Sequence, residues 1–178
     1  MTDRPENDPL VPDFATDLTE FTVQLNQKIA NANFSGIESL SRFGFNIGSI
    51  NLALKKNQRA EIITMPDICV IPNTPGFFRG MINLRGNIIP VFDFEYFLNT
   101  NAPETGQYLL ILENNGQYCA LTVSEMPVLI NIESESQELP ENCPDILKNN
   151  LNKVYRFNNL LWIEPNYENL LDDIKNYF

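Results

Sequence analysis

The feature that most limits the fold of this chain is a series of short apolar runs, bounded by turn residues, that begins at Phe43. In the first run Phe43, Phe45 and Ile47 alternate with small or polar residues, which is the two-residue period of a half-buried β-strand. No helical run alternates with these strands, so the pattern predicts small closed barrels or a sandwich without parallel pairing. The runs are FGFNI, INLAL, AEIIT, ICVIP, GMINL, NIIPVF, QYLLIL, QYCALTV, PVLINI, KVYRF and LLWIE.

Several connections between these runs carry turn residues. The clearest is ENNG, ending at Gly116, and Asn158-Asn159 and Arg85-Gly86 stand in similar places. Glycine supplies the positive φ that a two-residue turn needs, so Arg85-Gly86 predicts a tight hairpin. Pro90 interrupts a run that otherwise looks central, and since proline has no N–H to donate we expect a bulge or a sheet edge there.

Helical periodicity is confined to the two ends of the chain. The first helix, of about four turns, follows an acidic, proline-rich tail over residues 1–13 that we expect to be mobile. It could pack on the β body or bind a partner. Near the other end Asn166 predicts the N-cap of a short helix. The apolar faces consist of Phe14, Leu18, Phe21, Leu25 and Ile29 in the first helix and Leu170, Leu171 and Ile174 in the second.

The chain carries 23 acidic and 12 basic residues, a net charge of −11. Such a charge repels a phosphate backbone instead of releasing its counterions, which argues against nucleic acid and anionic membrane as partners. Between Gly86 and Leu147 the sequence has ten acidic residues and no Lys or Arg. This half predicts a negative surface, which is either a solvated face or a surface that steers a basic partner.

The chain contains no histidine and three cysteines. The missing histidine excludes Ser-His-Asp and Cys-His nucleophiles, a phosphotransfer histidine and nearly every zinc site. Cys69, Cys119 and Cys143 have no C-x-x-C spacing, so we expect small buried hydrophobes in a reducing compartment. The N-terminus lacks a signal-peptide pattern and no run reaches 18 apolar residues. We therefore expect a cytoplasmic protein with no metal or cofactor.

Two groups of residues could carry chemistry of their own. The pairs Arg79-Gly80 and Arg85-Gly86 lack the consecutive glycines and the following helix of a phosphate-binding loop. Asp93 and Glu95 lie two residues apart near a strand end and could act as the acid and base of a cofactor-free hydrolytic enzyme. Carboxylates at strand ends are usually solvated, and no sequence feature supplies a pocket around them.

The stretch NTPGFFRGMINLRGNIIPVFDF, residues 73–94, is similar to the signature of the CheW-like chemotaxis coupling family. Members also carry a glutamate 24 residues before the arginine of N-L-R-G, and Glu61 stands at that distance from Arg85. The resemblance thus implies that Glu61 holds Arg85. Arg59, by contrast, stands where many relatives have an apolar side chain. The residues that match the signature are Asn73, Thr74, Pro75, Phe78, Arg79, Gly80, Asn83, Leu84, Arg85, Gly86, Ile89, Pro90, Val91 and Asp93.

The resemblance extends more weakly over residues 43–175 and implies an all-β fold of two packed five-stranded SH3-like barrels. It divides the chain into an acidic tail with a helix, residues 1–40, and a CheW-like domain, residues 41–178. It also implies a non-enzymatic adaptor that joins a CheA-like histidine kinase to the cytoplasmic tip of a methyl-accepting chemoreceptor. The kinase-facing surface is expected on an apolar barrel flank that the sequence does not place.

The resemblance further implies a set of partner-binding residues, in which Glu61 and Arg85 shape the receptor-facing surface. Asn83 and Gly86 set the turn, and Arg79 completes the set. The acidic N-terminal extension, RFGFNIG and VYRFNNLLWIEP resemble the twitching-motility branch of the family, which serves type IV pili. The flagellar branch is the alternative.

Overall fold

The computed structural model describes residues 40–98 and 106–176. The predicted N-terminal tail and helix lie outside these residues. Within the described ranges, no helix has the length and apolar character needed to cross a membrane. The strands are β1 (Ser41–Ile47), β2 (Ile50–Ala53), β3 (Arg59–Thr64), β4 (Phe78–Leu84), β5 (Asn87–Phe92), β6 (Tyr108–Asn114), β7 (Gln117–Val123), β8 (Val128–Asn131), β9 (Ser134–Ser136), β10 (Leu151–Phe157) and β11 (Leu160–Pro165), and the helices are α1 (Phe94–Phe97), α2 (Asp145–Asn149) and α3 (Tyr167–Lys175).

The strands form two sheets, which confirms the mostly β prediction. One sheet has six strands in the order β8-β1-β2-β11-β10-β9, and the other has five in the order β3-β6-β7-β5-β4. Most neighbours are antiparallel, but β2 with β11 and β5 with β7 pair in parallel. The expectation of no parallel pairing is therefore wrong. Parallel strands need a long return path, and between β5 and β7 the described part of that path contains α1 and β6.

The six-stranded sheet has one strand more than the expected five because one stretch of chain is divided in two. β8 pairs with β1 at one edge, and β9 pairs with β10 at the other. Only Ile132 and Glu133 separate β8 from β9, and the Glu133 N–H donates to the carbonyl of Arg156 on β10 (2.9 Å). This bent segment therefore links the two edges of the sheet.

The edges of the five-stranded sheet, β3 and β4, are linked through Cys69. The N–H of Cys69 donates to the Met81 carbonyl (2.8 Å), and the Met81 N–H donates to the Cys69 carbonyl (2.9 Å). The predicted ICVIP strand is wrong, because only Cys69 pairs, as an isolated bridge. Gly80 permits the close approach, since a Cβ there would lie 2.2 Å from the Cys69 carbonyl oxygen, and its φ is +131°.

Pro90 lies inside the five-stranded sheet, so the edge alternative predicted for it is wrong. Its strand β5 has β4 on one side, while pairing with β7 on the other side begins at Val91. The irregularity expected here falls on the neighbouring strand. The register of β4 against β5 shifts between Phe78 and Gly80, which leaves Arg79 as the extra residue of a bulge.

Three groups of buried apolar side chains form the core. One lies on the five-stranded sheet and a second on the six-stranded sheet. The third and largest contains residues of both sheets, such as Leu52 on β2 and Leu121 on β7. The third group therefore packs the sheets together. The first group consists of Ile82, Ile89, Val91, Leu109, Ile111 and Ala120, and the second of Ala53, Ile130, Ile132, Tyr155 and Trp162.

The predicted C-terminal helix is present as α3, and its apolar face joins the third group. The Asn166 side chain accepts a hydrogen bond from the Asn169 N–H (3.3 Å), which confirms the predicted N-cap. The buried Tyr167 hydroxyl donates to the Ala53 carbonyl of β2 (2.9 Å). The helix is therefore fixed to the six-stranded sheet at its first turn.

The three cysteines differ in environment. Cys119 and Cys143 are buried, as expected, but Cys69 is exposed. Burial raises the pKa of Cys119 to about 12 and also raises the pKa of Cys143. The expectation that Cys69 is buried is wrong because Cys69 lies in a connecting segment that pairs with a sheet edge and not in a strand interior.

Candidate functional site

Arg85 and Gly86 form the turn between β4 and β5, as predicted. Their φ angles are 52° and 85°, and a type I′ turn requires positive φ at both central residues. The Asn83 side-chain oxygen accepts a hydrogen bond from the Gly86 N–H (3.0 Å). Asn83 and Gly86 therefore hold the turn that carries the Arg85 side chain.

Arg85 binds Glu61 through two hydrogen bonds. Its Nη1 lies 2.9 Å from Oε2 and its Nη2 lies 2.7 Å from Oε1. The contact predicted from the sequence is therefore present, and it joins the β4–β5 turn to β3 at the opposite edge of the sheet. The side chain of Arg85 is 73% exposed and that of Glu61 is 32% exposed. An ion pair this open stabilises a fold by only about 0 to 1 kcal/mol.

Arg85 is an unusual residue for its backbone conformation. The turns at Asn115-Gly116 and Asn158-Asn159 also have positive φ at both positions. Asparagine and glycine tolerate this left-handed conformation, whereas other residues pay about 1 to 2 kcal/mol for it. The β4–β5 turn thus keeps an arginine against the local preference, so stability of the turn does not explain it.

An open cavity of about 320 Å³ lies beside the Glu61–Arg85 pair. A second ion pair, Arg59 with Glu113, lies on its wall, with Nη1 at 3.1 and 3.4 Å from the two carboxylate oxygens. Two arginine–glutamate pairs therefore flank one open surface. Sequence reasoning missed the second pair, although the departure of Arg59 from the family pattern was a signal that this position is special.

Arg79 lies apart from the Glu61–Arg85 pair. Its Nη1 is 3.4 Å from Oδ2 of Asp93, and Oδ1 of Asp93 accepts the Tyr96 N–H (2.9 Å) at the start of α1. Sequence reasoning missed this short helix, which Asp93 marks as an N-cap residue. Of the five predicted partner-binding residues, the structure thus brings four together and leaves Arg79 elsewhere.

Asp93 and Glu95 are both 8% exposed, so the expectation of solvated carboxylates is wrong. Asp93 caps α1 and binds Arg79, while Glu95 accepts a hydrogen bond from the Ser124 hydroxyl (3.1 Å). They line a cavity of about 100 Å³. Ligand pockets measure about 300 to 1,000 Å³. Both carboxylates therefore have structural partners, and the space beside them is smaller than a usual ligand pocket.

The negative surface predicted for residues 86–147 is partly neutralised in the folded chain. Five acidic residues of this stretch form ion pairs with basic residues from outside it. This pairing favours the solvated-face interpretation over steering of a basic partner. The pairs are Arg79–Asp93, Arg59–Glu113, Lys153–Glu135, Arg156–Glu138 and Lys148–Asp145.

Comparison with known proteins matches residues 42–175 to the CheW-like domain family. The chemotaxis protein CheW of Helicobacter pylori is 26% identical over 117 residues, which are 64% of this chain and 70% of that protein. Protein FrzA of Myxococcus xanthus is 27% identical over 84 residues, 47% of this chain and 52% of that protein. Protein PilI of Pseudomonas aeruginosa is 25% identical over 113 residues, 61% of this chain and 64% of that protein.

A solved structure gives the same fold. The crystal structure of the scaffolding protein TtCheW from Thermoanaerobacter tengcongensis superposes with a TM-score of 0.61 at 23% identity, covering 74% of this chain and 87% of that chain. The family match covers most of the 178 residues, including both sheets and α3. The chain therefore belongs to the CheW-like domain family and is a non-enzymatic protein.

Proposed function

We propose that the protein is an adaptor that couples a CheA-like histidine kinase to the cytoplasmic tip of a methyl-accepting chemoreceptor. The observation that carries the proposal is the Glu61–Arg85 pair, whose arginine lies on an exposed turn within the family signature. The pair adds little to stability and arginine is disfavoured in this turn, so the fold alone gives no reason to keep it. A receptor surface that contacts the guanidinium supplies the reason.

An adaptor needs no chemistry of its own, because it acts by holding two partners at once. A receptor state that contacts the adaptor differently shifts the equilibrium of the bound kinase by the difference in contact free energy. The bidentate pair fixes the direction of the Arg85 guanidinium before binding, which a lysine at this position would not do. We also infer that the two sheets are the paired SH3-like barrels of the family and that an apolar flank of one meets the kinase.

We further infer that the protein acts at cytoplasmic receptor arrays of a type IV pilus pathway. The support is the resemblance of its N-terminal extension and of RFGFNIG to the twitching-motility branch, together with the likeness to PilI. Deleting the gene in the source bacterium is expected to abolish twitching and leave swimming intact. The opposite phenotype would assign the protein to the flagellar branch, as a CheW-type chemotaxis adaptor.

A double-mutant cycle tests the receptor-facing role of the pair. Glu61→Ala, Arg85→Ala and the double variant are compared in complex formation with purified kinase and receptor fragments and, separately, in thermal stability. We expect each single variant to weaken receptor binding, the double variant to be no weaker than either, and stability to change by about 1 kcal/mol or less.

The matched control is the exposed pair Arg156–Glu138, which is remote in sequence from the signature. Alanine at either control position is expected to leave the complexes with the kinase and with the receptor fragment intact. Wild-type complex formation by Glu61→Ala and Arg85→Ala would remove these residues from the site. Additive effects in both measurements would show that the two side chains do not act as a pair.

A further inference from the structure

Lys55 and Lys56 are the only basic residues in ranges 40–98 and 106–176 that form no ion pair. The other eight each lie within 4.0 Å of an Asp or Glu side chain. Both lysines are exposed. In a chain with 23 acidic and 12 basic residues, two adjacent unpaired lysines mark a local excess of positive charge.

The two lysines are held in place by the turn between β2 and β3. The Gln58 N–H donates to the Lys55 carbonyl (2.9 Å), which closes a turn with Lys56 and Asn57 at its centre. The Gln58 side-chain amide donates to the carbonyl of Glu113 on β6 (2.9 Å). The backbone that carries the lysines is therefore fixed to the five-stranded sheet, while both residues are exposed.

Lys55 and Lys56 line an open cavity of about 500 Å³ that also includes Arg59 and Glu113. Arg59 and Glu113 belong as well to the cavity beside Arg85. The two cavities therefore form one continuous surface, which we call the basic strip. It consists of the cations Lys55, Lys56, Arg59 and Arg85 and the anions Glu61 and Glu113.

The charge of the basic strip opposes that of the whole chain. It carries four positive and two negative charges, whereas the chain has a net charge of −11. Both carboxylates are already bound to arginines of the strip. Lys55 and Lys56 are therefore the cations of the strip that no carboxylate of the described residues neutralises.

We propose that the basic strip docks an acidic segment of the chemoreceptor tip, with carboxylates of the receptor opposite Lys55 and Lys56. The proposal rests on the adaptor function and extends its receptor-facing surface from the Glu61–Arg85 pair to the β2–β3 turn. A nucleic acid would meet the same cations, but its long phosphate chain would also meet the negative charge of the remaining surface. A short acidic protein segment meets only the strip.

Charge reversal at the turn tests the proposal in the full-length protein. Lys55→Glu with Lys56→Glu is compared with Lys148→Glu with Lys153→Glu, a control that changes the net charge equally at lysines paired elsewhere. Association with a purified cytoplasmic receptor fragment is expected to slow about tenfold or more in the first variant and by less than about twofold in the control. The difference should shrink between about 0.1 and 1 M salt, where the Debye length falls from about 10 to about 3 Å.

Binding to the purified kinase is expected to be the same for both variants and the wild type, and thermal unfolding verifies that both are folded. Equal slowing by both variants would assign the effect to net charge and would contradict the basic strip as a receptor-docking site. Unchanged receptor association in the Lys55→Glu, Lys56→Glu variant would also contradict this docking site, but it would not contradict the adaptor function. Tighter binding of a single-stranded oligonucleotide than of the receptor fragment, lost in the first variant and kept in the control, would replace the acidic protein partner with a nucleic acid.

If the wild-type protein binds neither the receptor fragment nor the kinase, the adaptor function itself fails, and the basic strip as a receptor site fails with it. This result differs from the others because it appears before any variant is made. The two proposals are therefore separated by the same set of measurements.

Discussion

Arg85 is a residue at which substitution should affect stability and partner binding differently. Arg85→Asn is expected to keep or raise stability, because asparagine tolerates the φ of 52° and the lost ion pair contributes only about 0 to 1 kcal/mol. Arg85→Ala loses the same pair without relieving the backbone, so it should be the less stable of the two. Urea unfolding measures both. A loss well above 1 kcal/mol in Arg85→Asn would mean that the ion pair matters more to the fold than its exposure indicates.

The cysteines give a second prediction for single residues. Iodoacetamide at pH 8 is expected to modify Cys69 and to spare Cys119 and Cys143 in the native protein. Cys69 is exposed, whereas burial both shields the other two thiols and raises their pKa, to about 12 for Cys119. Because the thiolate is the nucleophile, the raised pKa values of both buried thiols keep them unreactive at pH 8. Peptide mass spectrometry identifies the modified residue, and labelling of Cys119 in native protein would contradict its burial.

At the scale of elements, the bulge in β4 and the bridge at Cys69 depend on one glycine. Gly80→Ala places a Cβ 2.2 Å from the Cys69 carbonyl oxygen, so the segment that links the edges of the sheet must shift. Gly86→Ala is the control, since its φ is also positive but no atom lies within 4 Å of the added Cβ. Left-handed strain costs Gly86→Ala about 1 to 2 kcal/mol.

The collision should cost Gly80→Ala roughly 1 to 3 kcal/mol more. Denaturant midpoints of the two variants give the comparison directly. Equal losses would mean that the Cys69 segment moves aside freely and does not hold the sheet edges together.

At the scale of the whole molecule, the third group of core residues makes the two sheets depend on each other. The single tryptophan, Trp162, reports on the six-stranded sheet, and the buried thiol of Cys119 reports on the five-stranded sheet. Trp162 fluorescence and Cys119 labelling are expected to change at the same urea concentration, because coincident probes are the mark of one cooperative transition. Two separate midpoints would show that the sheets unfold independently.

Leu170→Ala in α3 should lower both midpoints together and cost about 2 to 5 kcal/mol, since Leu170 is fully buried in the group shared by the sheets. Leu160→Ala is the control, because that leucine is half exposed. A Leu170→Ala variant that shifted the fluorescence midpoint alone would place α3 with the six-stranded sheet only.

The sequence alone determined those features of the protein, mainly strands and turns, that depend on a few neighbouring residues. Alternation of apolar residues predicted most of the strands, and the residues at Arg85-Gly86 and Asn158-Asn159 predicted their turns, because period and φ preference act over a few residues. Glu61 and Arg85 are 24 residues apart in the sequence, and a family signature with fixed spacing predicted their contact. The short helix α1 was missed because four residues are too few for a helical period to appear.

Only the tertiary structure decided which charges meet and which side chains are buried. Arg59 finds Glu113 across 54 residues, and such pairs convert an acidic half of the sequence into a partly neutral surface. Cys69 is exposed because its connecting segment only pairs with a sheet edge, and Asp93 is buried because residues distant in sequence, such as Met65 and Thr122, lie around it. Lys55 and Lys56 stand out only because every other described cation is paired. Burial and pairing depend on neighbours brought together by folding, and no local pattern encodes those neighbours.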